Sequence, residues 1–180
     1  IFDFVECAKK FTDAVFVWAG GFSFGPMTDG YKELKELMEN HPENVIFTGI
    51  VDRNEMNSIY NLADVMFLPS YSELFPMTIL ESMCVKIPIL LRDLDIYNDI
   101  LFDYYLKGNS VDEFLEILEK LKNDKDFYDE WSKNSDRGHK FYSRENVLKM
   151  WEDFYDRVYR ETKDFKGKKK LKVKVKKKKR

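Results

Sequence analysis

Two glutamates carry the first chemical signal in this chain. Glu73 and Glu81 are separated by seven residues, within the stretch Leu68 to Ile89 that reads LPSYSELFPMTILESMCVKIPI. An ionised glutamate only accepts hydrogen bonds, and one carboxylate can hold two vicinal hydroxyls. Glu73 falls in a loop, whereas Glu81 falls near the start of a helix that opens at Pro76. A helix opening presents free backbone N–H groups and the positive end of the dipole, which suits phosphate. Each residue also has a plainer reading. Thr78-x-x-Glu81 has the form of a capping box, and Glu73 could be a solvated loop acid.

The elements that must position these residues follow from apolar periodicity. Val65 to Leu68 reads as a buried strand that stops at Pro69 and Ser70. Residues 76–85 read as a helix and Ile87 to Leu91 as the next strand. Strand, loop, helix and strand make half of a parallel α/β unit. In open α/β sheets, ligands sit beyond the carboxyl ends of the strands, where the Glu73 loop must lie.

The same alternation extends on both sides. Phe2 to Phe11 is an amphipathic helix, and Ala14 to Ala19 is a strand ending at Gly20 and Gly21. Those glycines serve either a sharp turn or a close backbone approach to a ligand. Residues 22–30 form a loop, Tyr31 to Glu39 a helix, and Val45 to Thr48 a strand ending at Gly49. Asp52, with Glu55 three residues on, is the expected N-cap of a helix to Ala63, whose apolar face is Met56, Ile59, Tyr60 and Ala63. Beyond Leu91 come a short helix near Ile96 to Phe102, an edge strand at Tyr104 to Lys107, and a helix from Ser110 or Asp112 to Leu121. A helical segment covers Asp126 to Ser135, and Ser143 caps a last helix. Repeated alternation predicts an α/β fold, a Rossmann-like parallel sheet with helices on both faces.

Bulk composition bounds the function classes. The chain has 180 residues, 44% of them hydrophobic and 34% charged, which suits one soluble globular domain with a sizeable core. No apolar run approaches the roughly 20 residues that span a bilayer, and no signal-peptide pattern is present. The start at Ile1, without Met, points to a piece of something longer. Two cysteines, Cys7 and Cys84, cannot make a disulfide framework, and both are expected as buried reduced thiols of a cytoplasmic protein. Net charge of −2 hides an asymmetry. Twelve of the 30 basic residues, but one of the 32 acids, lie between Lys163 and Arg180. Residues 1–162 are therefore read as the folded domain and residues 163–180 as a basic, disordered tail.

Pro69-Ser70, Glu73, Glu81-Ser-Met and Pro88, set between two apolar strands with Gly49 upstream, resemble the retaining glycosyltransferases of the GT-B type, family 4 group. The resemblance runs from Phe16 to about Asn109. It implies the C-terminal, donor-binding half of a GT-B enzyme, with Glu73 on the donor hexose as the catalytic-site carboxylate and Glu81 on the ribose diol. It places the main-chain amides of Phe75, Met77 and Thr78 on hexose and phosphates. Gly20 and Gly21, and the segment after Gly49 including Val51 and Asp52, would flank the nucleotide. Pro76 and Lys86 depart from the pattern, since relatives carry glycine at both positions. Proline donates no hydrogen bond, and Lys86 could be no more than a helix-end cation.

The run Leu91-Arg-Asp-Leu-Asp-Ile-Tyr-Asn-Asp-Ile-Leu101 narrows the resemblance to bacterial diacylglycerol glycolipid synthases. It implies a hexosyltransferase that takes a UDP-sugar, most simply UDP-glucose, with no metal and no cofactor. An Arg and a Lys for the diphosphate, and an acceptor-binding domain, are expected upstream of Ile1, so the chain alone is expected to be inactive. Lys168 to Arg180 would meet the anionic inner face of a bacterial plasma membrane, at about 1 kcal/mol per basic residue, or would only solubilise. No nucleic acid is expected as partner, because no aromatic residue interleaves the tail's lysines. The alternatives are a capsule or other cell-surface polysaccharide glycosyltransferase, and a non-enzymatic binding module whose tail meets nucleic acid. Binding of UDP by the body alone separates those classes.

Overall fold

A computed structural model of the protein describes residues 1–166. The chain divides into a first unit, Ile1–Lys140, and a second that begins at Phe141. Among the described residues there are five short strands: β1 (Phe16–Ala19), β2 (Val45–Gly49), β3 (Met66–Leu68), β4 (Ile89–Arg92) and β5 (Leu106–Gly108). All pair in parallel, β1 with β2, and β3, β4 and β5 in that order. Helices alternate with them: α1 (Phe2–Lys10), α2 (Tyr31–Glu39), α3 (Met56–Leu62), α4 (Met77–Cys84), α5 (Asp95–Ile100), α6 (Val111–Asn123) and α7 (Lys125–Phe141). This is the expected Rossmann-like α/β arrangement.

Apolar sequence decides which strands are central. Ile89, Leu90 and Leu91 are fully buried, as a continuous aliphatic run must be when both sheet faces are covered. The β1–β2 pair is less covered, since Val17 and Ile46 are exposed on it. An aromatic cluster joins the layers. Phe4 of α1 lies 5.3 Å from Phe16 of β1 and stacks on Phe67 of β3 at 5.6 Å, while Phe67 meets Phe114 of α6 at 5.1 Å. Such ring pairs add about 0.5–1.5 kcal/mol each beyond their buried area. The Asn44 side-chain amide donates to the carbonyls of Ala8, Phe11 and Ala14, at 2.9, 3.2 and 3.0 Å, and so ties the end of α1 to the entry of β1.

Several boundaries differ from the sequence reading for local reasons. The helix expected from Asp52 begins at Met56, because Asp52 closes a turn instead: its Oδ1 accepts from the Asn54 amide at 2.8 Å. Ser110, and not Asp112, caps α6. Its Oγ accepts from the Glu113 amide at 3.2 Å, while Glu113 Oε2 accepts from the Asn109 amide at 2.7 Å. The segment expected over 126–135 continues to Phe141. Gly138, in that extension, is buried against Met83, and a Cβ there would come within 2.8 Å of the Met83 side chain.

In the second unit, Ser143 caps α8 (Arg144–Lys166), its Oγ accepting from the Asn146 amide at 3.3 Å. The apolar face of α8 is present but exposed, with Trp151 stacked on Tyr155 at 5.6 Å. No helix among the described residues is long and apolar enough to cross a membrane. Lys168 to Arg180, the proposed membrane-facing tail, lies outside the described residues.

The cysteines separate. Cys7 is buried as expected, but Cys84 is exposed. Ile79 and Met83 take the buried face of α4, which turns Cys84 outward at its last residue. Burial, reinforced by the charge of Asp3, pushes the Cys7 thiol from 9.0 up to about 12. The native protein is therefore expected to expose one thiol to Ellman's reagent, Cys84, and two after denaturation. The folded state keeps the Cys7 proton where the unfolded chain has lost it, so this contribution to stability is complete below pH 9.0 and is lost as pH rises toward about 12. Chemical denaturation across that window should show a shallower fall for Cys7→Ala. An unchanged slope would mean that the thiol is not held in this way.

Candidate functional site

The loop 69–76 leaves the carboxyl end of β3 and delivers Glu73 before α4 begins. Pro69 is fully buried and anchors the loop's start. Pro76, expected at the first helical position, is instead the N-cap of α4, with φ −69° and ψ 118°. Its carbonyl accepts from the Ile79 amide at 3.1 Å. No side chain caps the helix, so the amides of Met77 and Thr78 begin α4 with no side-chain acceptor.

That geometry overturns the capping-box reading of Thr78 and Glu81. Thr78 lies inside the helix, not at its cap, and its carbonyl accepts from the Ser82 hydroxyl at 2.7 Å. Glu81 turns toward α3, where the Tyr60 hydroxyl donates to Glu81 Oε2 at 2.6 Å. Burial, followed by this hydrogen bond to the carboxylate, pushes the Tyr60 phenol far above its ordinary value, so it stays a donor. One carboxylate oxygen is thereby held and the other is left for further acceptor work. The Glu73 carboxylate is half-buried and engages no partner among the described residues. Its charge contributes, after burial, to raising the phenol of Tyr97 on α5. Phe75 is half-buried beside it and Met77 is exposed.

A second group of expected site residues gathers at the carboxyl ends of β1 and β2. The Gly20 amide donates to the Gly49 carbonyl at 3.0 Å, and a Cβ on Gly21 would meet the Ile50 amide nitrogen at 3.3 Å. Gly21 thus permits close approach of the two strand ends, whereas a Cβ on Gly20 would meet the Trp18 side chain at 3.3 Å. Gly49 takes φ +71°, a left-handed conformation that favours glycine, and turns the chain into Val51 and Asp52. Helix α3 follows this turn and reaches α4 through Tyr60 and Glu81, which links the two groups. Among the described residues, no three His, Cys, Asp or Glu side chains come together to hold a metal ion.

Lys86 occupies the residue after α4's C-terminal turn with φ 62°, and its amide donates to the Met83 carbonyl at 3.1 Å. A left-handed helix terminus is where glycine is preferred, which accounts for glycine in the family pattern. Here Lys86 Nζ pairs with Asp136 at 3.0 Å, so it is a helix-end cation with a defined partner.

Tyr60 and Arg92 are the residues that sequence reasoning missed. In the sequence Tyr60 reads only as part of an apolar helix face, yet a buried tyrosine hydroxyl needs a partner, and that requirement is the available signal. Arg92 ends an otherwise aliphatic strand and is itself buried. A cation closing such a run has to find compensating groups.

Comparison with known proteins agrees with this architecture. Residues 3–137 match the family described as Glycosyl transferases group 1. Over 158 residues the chain is 48% identical to the alpha-galactosylglucosyldiacylglycerol synthase of Streptococcus pneumoniae, covering 86% of this chain and 41% of that protein. It is 30% identical over 154 residues to the processive diacylglycerol alpha-glucosyltransferase of Acholeplasma laidlawii, covering 84% and 44%. The chain thus spans less than half the length of these relatives. Among solved structures, the Anabaena protein HepE in complex with UDP and glucose aligns with a TM-score of 0.69 at 15% identity, over 88% of this chain and 44% of that one. The C-terminal domain of a group 1 glycosyl transferase from Francisella tularensis aligns at 0.60 and 23%, over 81% and 78%. At such identities these two speak to the fold alone, whereas the family match runs over most of the sequence: the chain belongs to the glycosyl transferases of group 1.

Proposed function

We propose that this chain is the donor-binding half of a retaining hexosyltransferase that moves a hexose from a UDP-sugar to a diacylglycerol glycolipid at a membrane. The observation that carries this reading is the arrangement around α4. A carboxylate with no partner among the described residues, Glu73, stands before an uncapped helix start, and a second carboxylate, Glu81 within that helix, is oriented by Tyr60 of α3. A nucleotide sugar asks for such a set: acceptors for its hydroxyls and donors for its phosphates. Glu81 would take the ribose diol with the oxygen that Tyr60 leaves free. The Met77 and Thr78 amides, at the positive end of α4, would meet phosphate or hexose. Glu73 would accept from a hexose hydroxyl. Fixed dipoles of this kind need no reorganisation as charge develops on the departing diphosphate.

The diacylglycerol acceptor is inferred from the likeness to the Streptococcus and Acholeplasma proteins, whose names state that class. UDP-glucose is the donor to test first, and the family resemblance implies that neither a metal nor a cofactor takes part. Since the relatives are more than twice as long as the matched region, acceptor binding would reside in another domain, and this chain would bind donor without turning it over. Calorimetric titration of the chain with UDP decides the first step. Saturable binding in EDTA is the expected result, and absence of binding to both UDP and UDP-glucose would refute the reading.

The basic tail supplies the proposed route to the membrane. Deleting residues 168–180 is expected to weaken sedimentation with vesicles containing phosphatidylglycerol, and to remove most of its salt dependence. Equal sedimentation of both forms would leave the tail as a solubilising segment.

A further inference from the structure

Arg92 is the last residue of β4 and is 6% exposed. Its guanidinium works in three directions. Nε donates to the Pro69 carbonyl at 3.3 Å, Nη1 donates to the Asn109 carbonyl at 2.6 Å, and Nη2 pairs with Asp3 at the start of α1. It also lies 3.9 Å from the Tyr71 ring centroid and 5.3 Å from that of Phe114. The Tyr71 hydroxyl donates to the same Asp3 oxygen at 2.9 Å. One buried cation therefore gathers α1, the turn after β5, α6, and two points of the loop that carries Glu73.

A buried cation is not the only way to fill such a place in a core. Buried ion pairs are often replaced by apolar groups of similar volume with little or no loss of stability. What an apolar side chain cannot supply is the planar fork that reaches two carbonyls and a carboxylate while presenting a face to a tyrosine. The loop segments it holds are also specific. Pro69 opens the loop, and Tyr71 lies two residues before Glu73, with its ring largely exposed and fixed by Arg92 and Asp3. We infer that Arg92 is a positioning residue for Glu73, holding the carboxylate's loop through the Pro69 carbonyl and the Tyr71 ring. The inference rests on the reading of Glu73 as the hexose-side acceptor. Arg92 itself is not assigned a substrate contact.

Two variants test it in the whole 180-residue chain. Arg92→Met removes the fork and keeps apolar volume. Tyr71→Ala removes a largely exposed ring and leaves the buried guanidinium with its two carbonyl partners and Asp3. Titration of each with UDP and with UDP-glucose is expected to show UDP affinity within twofold of the parent. The additional affinity contributed by glucose should fall at least fivefold in both. Tyr71→Phe keeps the ring over the guanidinium and loses only the bond to Asp3, so it should retain most of that increment. Thermolysin cleavage at Leu74, mapped by mass, should accelerate several-fold in Arg92→Met and Tyr71→Ala.

A parallel loss of UDP and UDP-glucose affinity would reveal general disruption and overturn the positioning role. So would Tyr71→Ala with parental glucose increment and parental cleavage. If the parent gains nothing from glucose over UDP, the reading of Glu73 fails on its own account. Cleavage rates at Leu74 then still judge whether Arg92 and Tyr71 hold the loop, and unchanged rates would end the proposal.

Discussion

Glu81→Gln is expected to weaken UDP binding by about 1.5–3 kcal/mol, the loss that follows removal of a charged hydrogen-bond acceptor, or roughly ten- to a hundredfold in Kd. UDP contains the ribose, so the loss should be equal for UDP and UDP-glucose. The geometry sharpens this expectation. Tyr60 donates to Oε2 and needs an acceptor there, so glutamine would turn its oxygen to Tyr60 and its NH2 group to the ligand. A donor would then face hydroxyls that had been donating. Tyr60→Phe should act in the same direction but less, by about 0.5–1.5 kcal/mol, because the carboxylate keeps its charge and loses only its orientation. If the tie from α3 to α4 is the whole role of Glu81, glutamine serves it equally well. UDP affinity would then be unchanged in Glu81→Gln, and the ribose assignment would be lost.

For Glu73→Gln the expected signature is a split. UDP affinity should hold, because the loop carboxylate lies outside the nucleotide's part of the site in this reading, while the increment from the hexose should disappear. In the complete enzyme, turnover should fall by about 10²-fold, the scale for removing one preorganised polar group from a transition state, with a smaller change in KM. Asymmetry between these two carboxylates is the strongest test available, since a general loss of folding would move both quantities together. A variant that binds UDP-glucose and turns over like the parent would return Glu73 to a solvated loop acid. Steady-state kinetics of the complete enzyme, set beside titration of the chain, gives both numbers.

Each expected result depends on geometry that was only partly legible in the amino-acid sequence. Alternation of aliphatic runs with 3.6-residue periodicity determined the α/β class, since Ile89 to Leu91 can be buried on both faces only in a covered parallel sheet. The spacing of Glu73 and Glu81 about Pro76 determined that one carboxylate stands in a strand-end loop and the other on the following helix, because local backbone rules suffice for that. Ser143 was readable as a cap for the same reason, and Ser110 as one of two candidates with Asp112. What the tertiary structure alone decided were the long-range partners. Thr78 and Glu81 have capping-box spacing, and nothing local forbids that pairing. It is Tyr60, 21 residues away, that draws Glu81 to α3. Arg92 meets Asp3 across 89 residues, and Tyr71 in the loop after the neighbouring strand. Contacts of that separation carry no periodicity, since they arise where packed layers place buried polar groups that must be satisfied. The fold was written in local patterns, and the orientation of the site's carboxylates in the pairing of distant ones.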